Sequence, residues 1–336
     1  MKKINVGVIG LGYWGPNYVR NFLRQMEVDH LWACDTSDSA LEKTQNLYPQ
    51  VSSTNDYRQL LKNGSIDCIA VATPPNTHYK ITKAALSSGK HVLVAKPLTT
   101  KSQHAVDLLK IAKKNNLFLS CDLTFLYTSA VNIIKKNLEN KVIGEPLYYD
   151  SIRTNLGLIQ HDVNVIWDLA IHDFSILSYL FINYKPKRIF AIASKHFKNS
   201  GKEEIAHITI EYNKNFIVHI HVSWLSPVKM RTIIIGGTNK MILFDDIQPD
   251  EKIKIYDKGV DIPSPSITTF KPIYRSGDVF IPKVENEEAL FIEIKEFINN
   301  IKKGKHIYDN AEKSLDIIRL LEACDKSLKQ NKIINL

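Results

Sequence analysis

Cysteine is scarce and unpatterned: the chain has four, Cys34, Cys68, Cys121 and Cys324, with no C-x-x-C spacing. Neither a disulfide framework nor a thiolate metal site organises such a chain, and no metal is expected. The first three lie in short apolar runs that read as buried strands, where cysteine behaves as a small hydrophobe. Long hydrophobic runs are missing too. No window reaches the roughly 20 apolar residues of a membrane span. The N-terminal apolar run is broken by Gly7, Gly10, Gly12 and Gly15, and no small-residue cleavage site follows it. A cytoplasmic protein without a membrane partner is expected. Basic clusters are short ("KPKR" at 185–188, "KKGK" at 302–305), and no helix carries a basic stripe with interleaved aromatics. Nucleic acid is therefore not an expected partner. Repeats, low-complexity segments and long linkers are also lacking.

What is present is ordinary for a globular protein: 44% hydrophobic and 24% charged residues in 336, enough chain for two domains. The net charge of +9 creates a field able to draw in an anionic substrate.

Along the chain, apolar strand-like runs at 3–9, 30–35, 67–73, 91–95 and 117–122 alternate with helical segments at 38–47, 76–88 and 101–115. Near-continuous apolar strands separated by helices predict a doubly wound parallel sheet with helices on both faces. After residue 122 the texture changes. A helix over 128–139 and a strand over 146–154 precede a helix in the 160s and 170s. Strand-like runs then follow without intervening helices, at 188–194, 204–212, 216–224, 230–236 and 240–245. A hairpin turn is expected at Asn213–Asn215, and two helices over 285–302 and 310–329 close the chain, with Gly304 as the stop between them. The fold class expected is α/β: a dinucleotide-binding domain over 1–122, then an α/β domain over 123–336 with a large, mostly antiparallel, open sheet.

"GLGYWG", residues 10–15, fits G-x-G-x-x-G between a strand and a helix that Pro16 can open. In this pattern Gly10 allows the tight turn, Gly12 lets backbone approach a pyrophosphate, and Gly15 lets the helix pack on the sheet. Tyr13 and Trp14 lie in the same loop. Asp35 ends the second strand, 20 residues beyond Gly15. Its carboxylate can accept hydrogen bonds from a ribose 2′-OH and would repel a 2′-phosphate, which favours NAD over NADP. "ATPPNTHY", 72–79, follows a strand at the edge where ligands bind in open α/β sheets, which adds Thr73, Pro74, Asn76 and His78 to the expected cofactor contacts.

"IWDLAIHDF", 166–174, places an aspartate and a histidine four apart in an otherwise apolar helix. At 3.6 residues per turn Asp168, His172, Ser175 and Tyr179 share a stripe, which must face a partner or a cavity. Taken alone, the pair is explained more simply as a helix-start aspartate and a hydrogen-bonded core histidine.

"VGVIGLGYWG", "ATPPNTHY", "KHVLVAKPL" and "WDLAIHD", in that order, resemble the Gfo/Idh/MocA family of NAD(P)-dependent sugar and polyol oxidoreductases, over essentially the whole chain. The resemblance implies a Rossmann domain followed by an α/β domain whose open sheet mediates oligomerisation, here as a homodimer or homotetramer. It also implies a substrate pocket between the two. The family's Lys-Pro pair maps onto Lys96 and Pro97, and its Asp and His four apart onto Asp168 and His172. Lys96 then holds the substrate oxygen beside the cofactor. His172 or Lys96 serves as base, and Asp168 orients the imidazole or binds a neighbouring hydroxyl. One departure stands out: the family's glutamate before that lysine is Ala95 here, which removes a charge that would hold Lys96 or a cofactor ribose.

For the substrate, Tyr127, Arg153, Asn155 and Asn164 are candidate pocket residues, with strand-edge and loop hydrogen bonding as their alternative roles. The combination of "GYWGPN" with "NVIWDLAIHD" resembles the branch of nucleotide-sugar dehydrogenases that oxidise UDP-N-acetylglucosamine at C3. Two other readings stay open: a dehydrogenase or reductase of a free sugar or inositol, and a cofactor-binding relative whose turnover is impaired by Ala95.

Overall fold

The computed structural model describes residues 3–157, 159, 162–197, 201–261, 272–304 and 309–336. They form two compact units, Met1–Tyr127 with Glu287–Arg319, and Thr128–Asn286 with Leu320–Leu336.

In the first unit β1 (Ile4–Ile9), β2 (Val28–Cys34), β3 (Ser52–Thr54), β4 (Cys68–Val71), β5 (His91–Val94) and β6 (Leu119–Cys121) pair in parallel in the order β3-β2-β1-β4-β5-β6. This doubly wound order reverses between β1 and β4, where the strand ends leave a ligand crevice. The crossovers are α1 (Gly15–Leu23), α2 (Asp38–Leu47), α3 (Tyr57–Lys62), α4 (Pro75–Ser87) and α5 (Ser102–Lys114). Both faces of the sheet are covered, so β4, "CIAV", is buried at every residue.

The first unit also takes in α8 (Ala289–Lys302), which the sequence reading placed with the second half of the chain. The reason is a single apolar stripe. Leu290, Ile294, Phe297 and Ile298 are buried in one cluster with Val6, Val8, Phe22 and Phe118. Glu288, at the N-cap of α8, accepts from Arg20, Asn21 and Arg24 of α1 and its C-terminal end.

In the second unit α6 (Ser129–Glu139), β7 (Pro146–Leu156) and α7 (Ile171–Leu180) precede β8 (Pro186–Ser194), β9 (Ile205–Tyr212), β10 (Ile217–Ser223), β11 (Leu225–Gly237), β12 (Met241–Asp245), β13 (Ile253–Asp261) and β14 (Ile273–Phe280). With β15 (Ile334–Asn335), which follows α9 (Asp309–Gln330), they form a sheet ordered β14-β13-β12-β11-β7-β10-β9-β8-β15. All its pairings are antiparallel except β7 with β10. The β9–β10 hairpin turns over Asn213–Asn215, with Lys214 and Asn215 both at positive φ. The side chains alternate. Tyr149, Ile208, Ile210, Val218, Ile220 and Val222 are buried on one face, where Phe181 at the end of α7 meets Tyr149 edge-on. On the other face Ile192, His207, Ile217 and His219 are exposed. Strands β13 and β14 had no counterpart in the sequence reading.

The four cysteines are buried and unpaired, and burial pushes the Cys34 thiol up to about 12. Among the described residues no helix is long and apolar enough to cross a membrane, and no group of three or more His, Cys, Asp or Glu side chains is arranged to hold a metal.

Candidate functional site

The glycine loop leaves β1 and enters α1 with the geometry its spacing predicts. Gly10 has φ +95°, and a Cβ there would stand 2.7 Å from the backbone of Ala72 and Thr73. A Cβ on Gly15 would run into the carbonyl of Gly10, so this residue closes the loop onto the helix. A Cβ on Gly12 would meet nothing within 4 Å. The loop is thus tight at both ends and open at its middle, where Tyr13 is 84% exposed. That is the space a pyrophosphate needs at a helix N-terminus.

Asp35 directly follows β2, with its carboxylate already part of the loop. Oδ2 accepts from the Leu11 amide at 2.6 Å and Oδ1 from the Ser37 amide at 2.9 Å. Each oxygen retains acceptor capacity for a ribose hydroxyl. On the next strand end, Thr73 Oγ1 accepts from Thr77 Oγ1 at 2.7 Å, α4 opens at Pro75 after Pro74, and Asn76 is exposed. His78 departs from expectation. It is 1% exposed, with Nδ1 and Nε2 each 2.7 Å from a carbonyl oxygen, those of Pro97 and Thr73. Such a ring touches no ligand. Instead it ties the Thr73 loop to the Lys96–Pro97 turn. Ala95 is buried, its amide donating to Val71, while Lys96 is half-buried. Tyr127 also turns inward, accepting from Asn310 within the first unit; burial raises its phenol well above the usual range.

In the second unit the helix bearing Asp168 and His172 does not start as an α-helix. Ile166–Ala170 form a π-helical turn that passes into α7. Such widened turns recur at functional positions because they redirect side chains within a helix. Both Asp168 and His172 are half-buried. Asp168 Oδ2 accepts from the Trp224 indole at 3.0 Å, which fixes the carboxylate. The lower part of the expected stripe is interior packing: Ser175 donates to the His172 carbonyl, and Tyr179 donates to Asn132 of α6 with Lys135 over its ring.

Two candidate substrate residues are corrected. Arg153 follows the parity of Tyr149 and Ser151 to the covered face of the sheet, where it is 4% exposed. Its Nε donates to Asp173 Oδ2 at 2.9 Å and its Nη2 to Oδ1 at 3.3 Å. Asn164 caps the π turn, accepting from the Trp167 amide at 3.2 Å and donating to Glu203 and Asp325. Asn155, two residues along from Arg153, is half-buried.

Trp224 and Asp122 were missed. Trp224 gives no local signal, being one more apolar residue at a strand end. Asp122 was more legible: it is an acid at the C-terminal end of the last parallel strand, and it accepts from the Trp14 indole at 2.7 Å and the Tyr18 hydroxyl at 2.9 Å.

The family model "Oxidoreductase family, NAD-binding Rossmann fold" matches residues 4–123, and "GFO/IDH/MocA C-terminal domain" matches residues 132–243. The scyllo-inositol 2-dehydrogenase (NADP(+)) of Bacillus subtilis is 21% identical over 99% of this chain and 96% of its own length. The UDP-N-acetylglucosamine 3-dehydrogenase of Acidithiobacillus ferrooxidans is 23% identical over 92% of each chain. Among solved structures, GenD2 from gentamicin A biosynthesis in complex with NAD superposes with a TM-score of 0.85 at 17% identity, covering 100% of this chain and 97% of that one, a likeness of fold. With both halves of the chain matched by the family's models, the chain belongs to the Gfo/Idh/MocA family of NAD(P)-binding oxidoreductases.

Proposed function

We propose that the protein uses NAD to interconvert a secondary hydroxyl and a keto group on a nucleotide-linked sugar, such as C3 of UDP-N-acetylglucosamine. The observation that carries the redox reading is the Asp168/His172 pair, Asp168 on the π turn and His172 in the first turn of α7, with the carboxylate held by Trp224. Bound dinucleotide supplies the hydride acceptor at its nicotinamide ring. The chain's own residues do the rest. His172 takes the hydroxyl proton in the oxidative direction and returns it in reduction, since imidazole titrates near neutral pH. Lys96 donates to the same oxygen and stabilises alkoxide charge as it develops. Asp168 holds the imidazole or a neighbouring sugar hydroxyl in line.

NAD is favoured by Asp35, whose remaining lone pairs suit a ribose diol and whose charge repels a 2′-phosphate. The nucleotide-sugar assignment is supported by the net charge of +9 and by the UDP-N-acetylglucosamine dehydrogenase among the relatives. An inositol or free sugar is the second reading, favoured by the inositol dehydrogenase that spans 99% of the chain. We also propose that a second copy covers the exposed face of the nine-stranded sheet, as a homodimer or homotetramer.

The test follows NADH fluorescence with UDP-N-acetylglucosamine, other nucleotide sugars, free sugars and inositols. Turnover with inositols alone selects the second reading. Dinucleotide binding without turnover on any of them selects the impaired relative that Ala95 suggests. Tighter binding of NADPH than NADH refutes the argument from Asp35. His172→Ala and Lys96→Ala should each lower kcat by roughly two orders of magnitude and leave NADH binding almost unchanged.

A further inference from the structure

A buried pair of carboxyl groups in the first unit takes no part in the chemistry above. Asp122, at the end of β6, is 2% exposed, and Glu293, in the second turn of α8, is 1% exposed. Asp122 Oδ2 accepts from two side chains one turn apart at the start of α1, Trp14 Nε1 at 2.7 Å and Tyr18 OH at 2.9 Å. Its Oδ1 accepts from the Thr124 amide and hydroxyl. Four donors on one carboxylate fix its position in the interior. Glu293 is different. Its Oε1 accepts from the Leu123 amide at 3.0 Å, while its Oε2 is buried and receives no donor among the described residues. Burial, then the charge of the neighbouring Asp122, raises this carboxyl well above its ordinary value.

The consequence lies in the glycine loop. At its start, Asp35 holds the Leu11 amide; at its end, Asp122 holds the Trp14 indole. Gly12 and Tyr13 alone lie between these two clamps, and they form the open part of the loop. We propose that Asp122, with Glu293 of α8 holding the adjacent Leu123 amide, is a positioning residue for dinucleotide binding: it anchors Trp14 and Tyr18 and so presents the Gly12–Tyr13 backbone in its binding conformation before ligand arrives. The device reaches the loop from a helix more than 270 residues further along the chain. Removing the anchor makes the ligand order the loop itself. Fixing the backbone of one residue corresponds to a loss of roughly tenfold in affinity.

The experiment measures Kd for both NADH and NADPH at a temperature well below each variant's thermal transition. Using both dinucleotides keeps the outcome independent of cofactor preference and of substrate. Asp122→Asn and Trp14→Phe, which keeps an aromatic ring and removes the N–H, should each weaken binding roughly tenfold. Glu293→Leu should do the same, whereas Glu293→Gln, whose amide keeps one donor and one acceptor, should restore it. A second readout needs no ligand. Amide hydrogen exchange over residues 11–18 should accelerate in Trp14→Phe and Asp122→Asn. Dinucleotide affinities within twofold of the parent, or unchanged exchange over that segment, overturn the proposal. If Asp122→Asn does not fold, Trp14→Phe decides alone.

Discussion

The Arg153–Asp173 pair allows a quantitative test of what holds α7 against the sheet. Both side chains are almost wholly buried, at 5% and 0% exposure, and joined by two hydrogen bonds of 2.9 and 3.3 Å. Ser151 also donates to Asp173 Oδ1, at 2.5 Å. In Asp173→Ala the guanidinium loses its counter-charge without gaining water, which costs about 3–5 kcal/mol. The orphaned Ser151 hydroxyl adds about 1 kcal/mol. Arg153→Met leaves the carboxylate unpaired and should cost a similar amount. The double variant Arg153→Met/Asp173→Leu removes both charges and keeps the volume, so it should be within about 1–2 kcal/mol of the parent. Equilibrium urea unfolding, followed by far-UV circular dichroism, gives the three values and the coupling energy between the two sites. Because Asp173 follows His172 directly, kcat measured in folded Asp173→Ala should fall as well. Single variants that cost less than 1 kcal/mol, or a double variant worse than either single one, would refute the assignment of Arg153 to the interior.

Two further outcomes follow from the first unit. Phe297→Ala removes a ring that is 2% exposed and lies 5.4 Å from that of Phe118, and should destabilise the dinucleotide unit by about 3–5 kcal/mol in thermal or urea unfolding; a loss under 1 kcal/mol would detach α8 from that core. Burial, then the neighbouring Asp122, raises the Glu293 carboxyl well above its ordinary value, with Tyr18, Cys121, Tyr127 and Glu296 the other titratable groups coupled to it. The unfolded chain releases this proton near pH 4.3 while the folded one keeps it, so the group's contribution falls as pH rises, by at most about 1.4 kcal/mol per unit. Glu293→Gln should therefore match the parent below about pH 4 and be the more stable of the two at pH 7. Equal unfolding midpoints at both pH values would show that Glu293 is ionised in the folded protein.

The parts of this protein legible in its sequence are those whose physics is local. Gly10, Gly12 and Gly15 specify a turn, an opening and a close approach within six residues, and the structure uses each in that way. The α2 bounds, Asp38–Leu47, follow from Ser37, which accepts from the Ala40 amide as N-cap. Arg153 was misread because a charged residue in a strand resembles a pocket residue until its parity is counted and its counter-charge, 20 positions away on another element, is found. Asn164 was misread similarly: its partners Glu203 and Asp325 are remote in sequence. The π turn before α7 left no periodic trace, since one widened turn shifts a five-residue stretch only. Strand β13 alternates apolar and charged residues as "IKIYDKGVD", but lysines and Gly259 dilute the pattern.

Because α8 completes the first core, the order of synthesis and the order of assembly cannot coincide. When residue 127 leaves the ribosome, the parallel sheet has all six strands but lacks the side chains of Leu290, Ile294, Phe297 and Ile298. The surface those residues cover stays open until about 160 more have been made, which at about 5–20 residues per second is roughly ten seconds or more. The second unit, continuous from Thr128 to Asn286, emerges in that interval. Nascent chains halted between residues 130 and 285 should therefore expose apolar surface on the first unit and depend on chaperones. A fragment ending at Tyr127, although it holds the whole glycine motif, is expected to be a poor stand-alone dinucleotide binder.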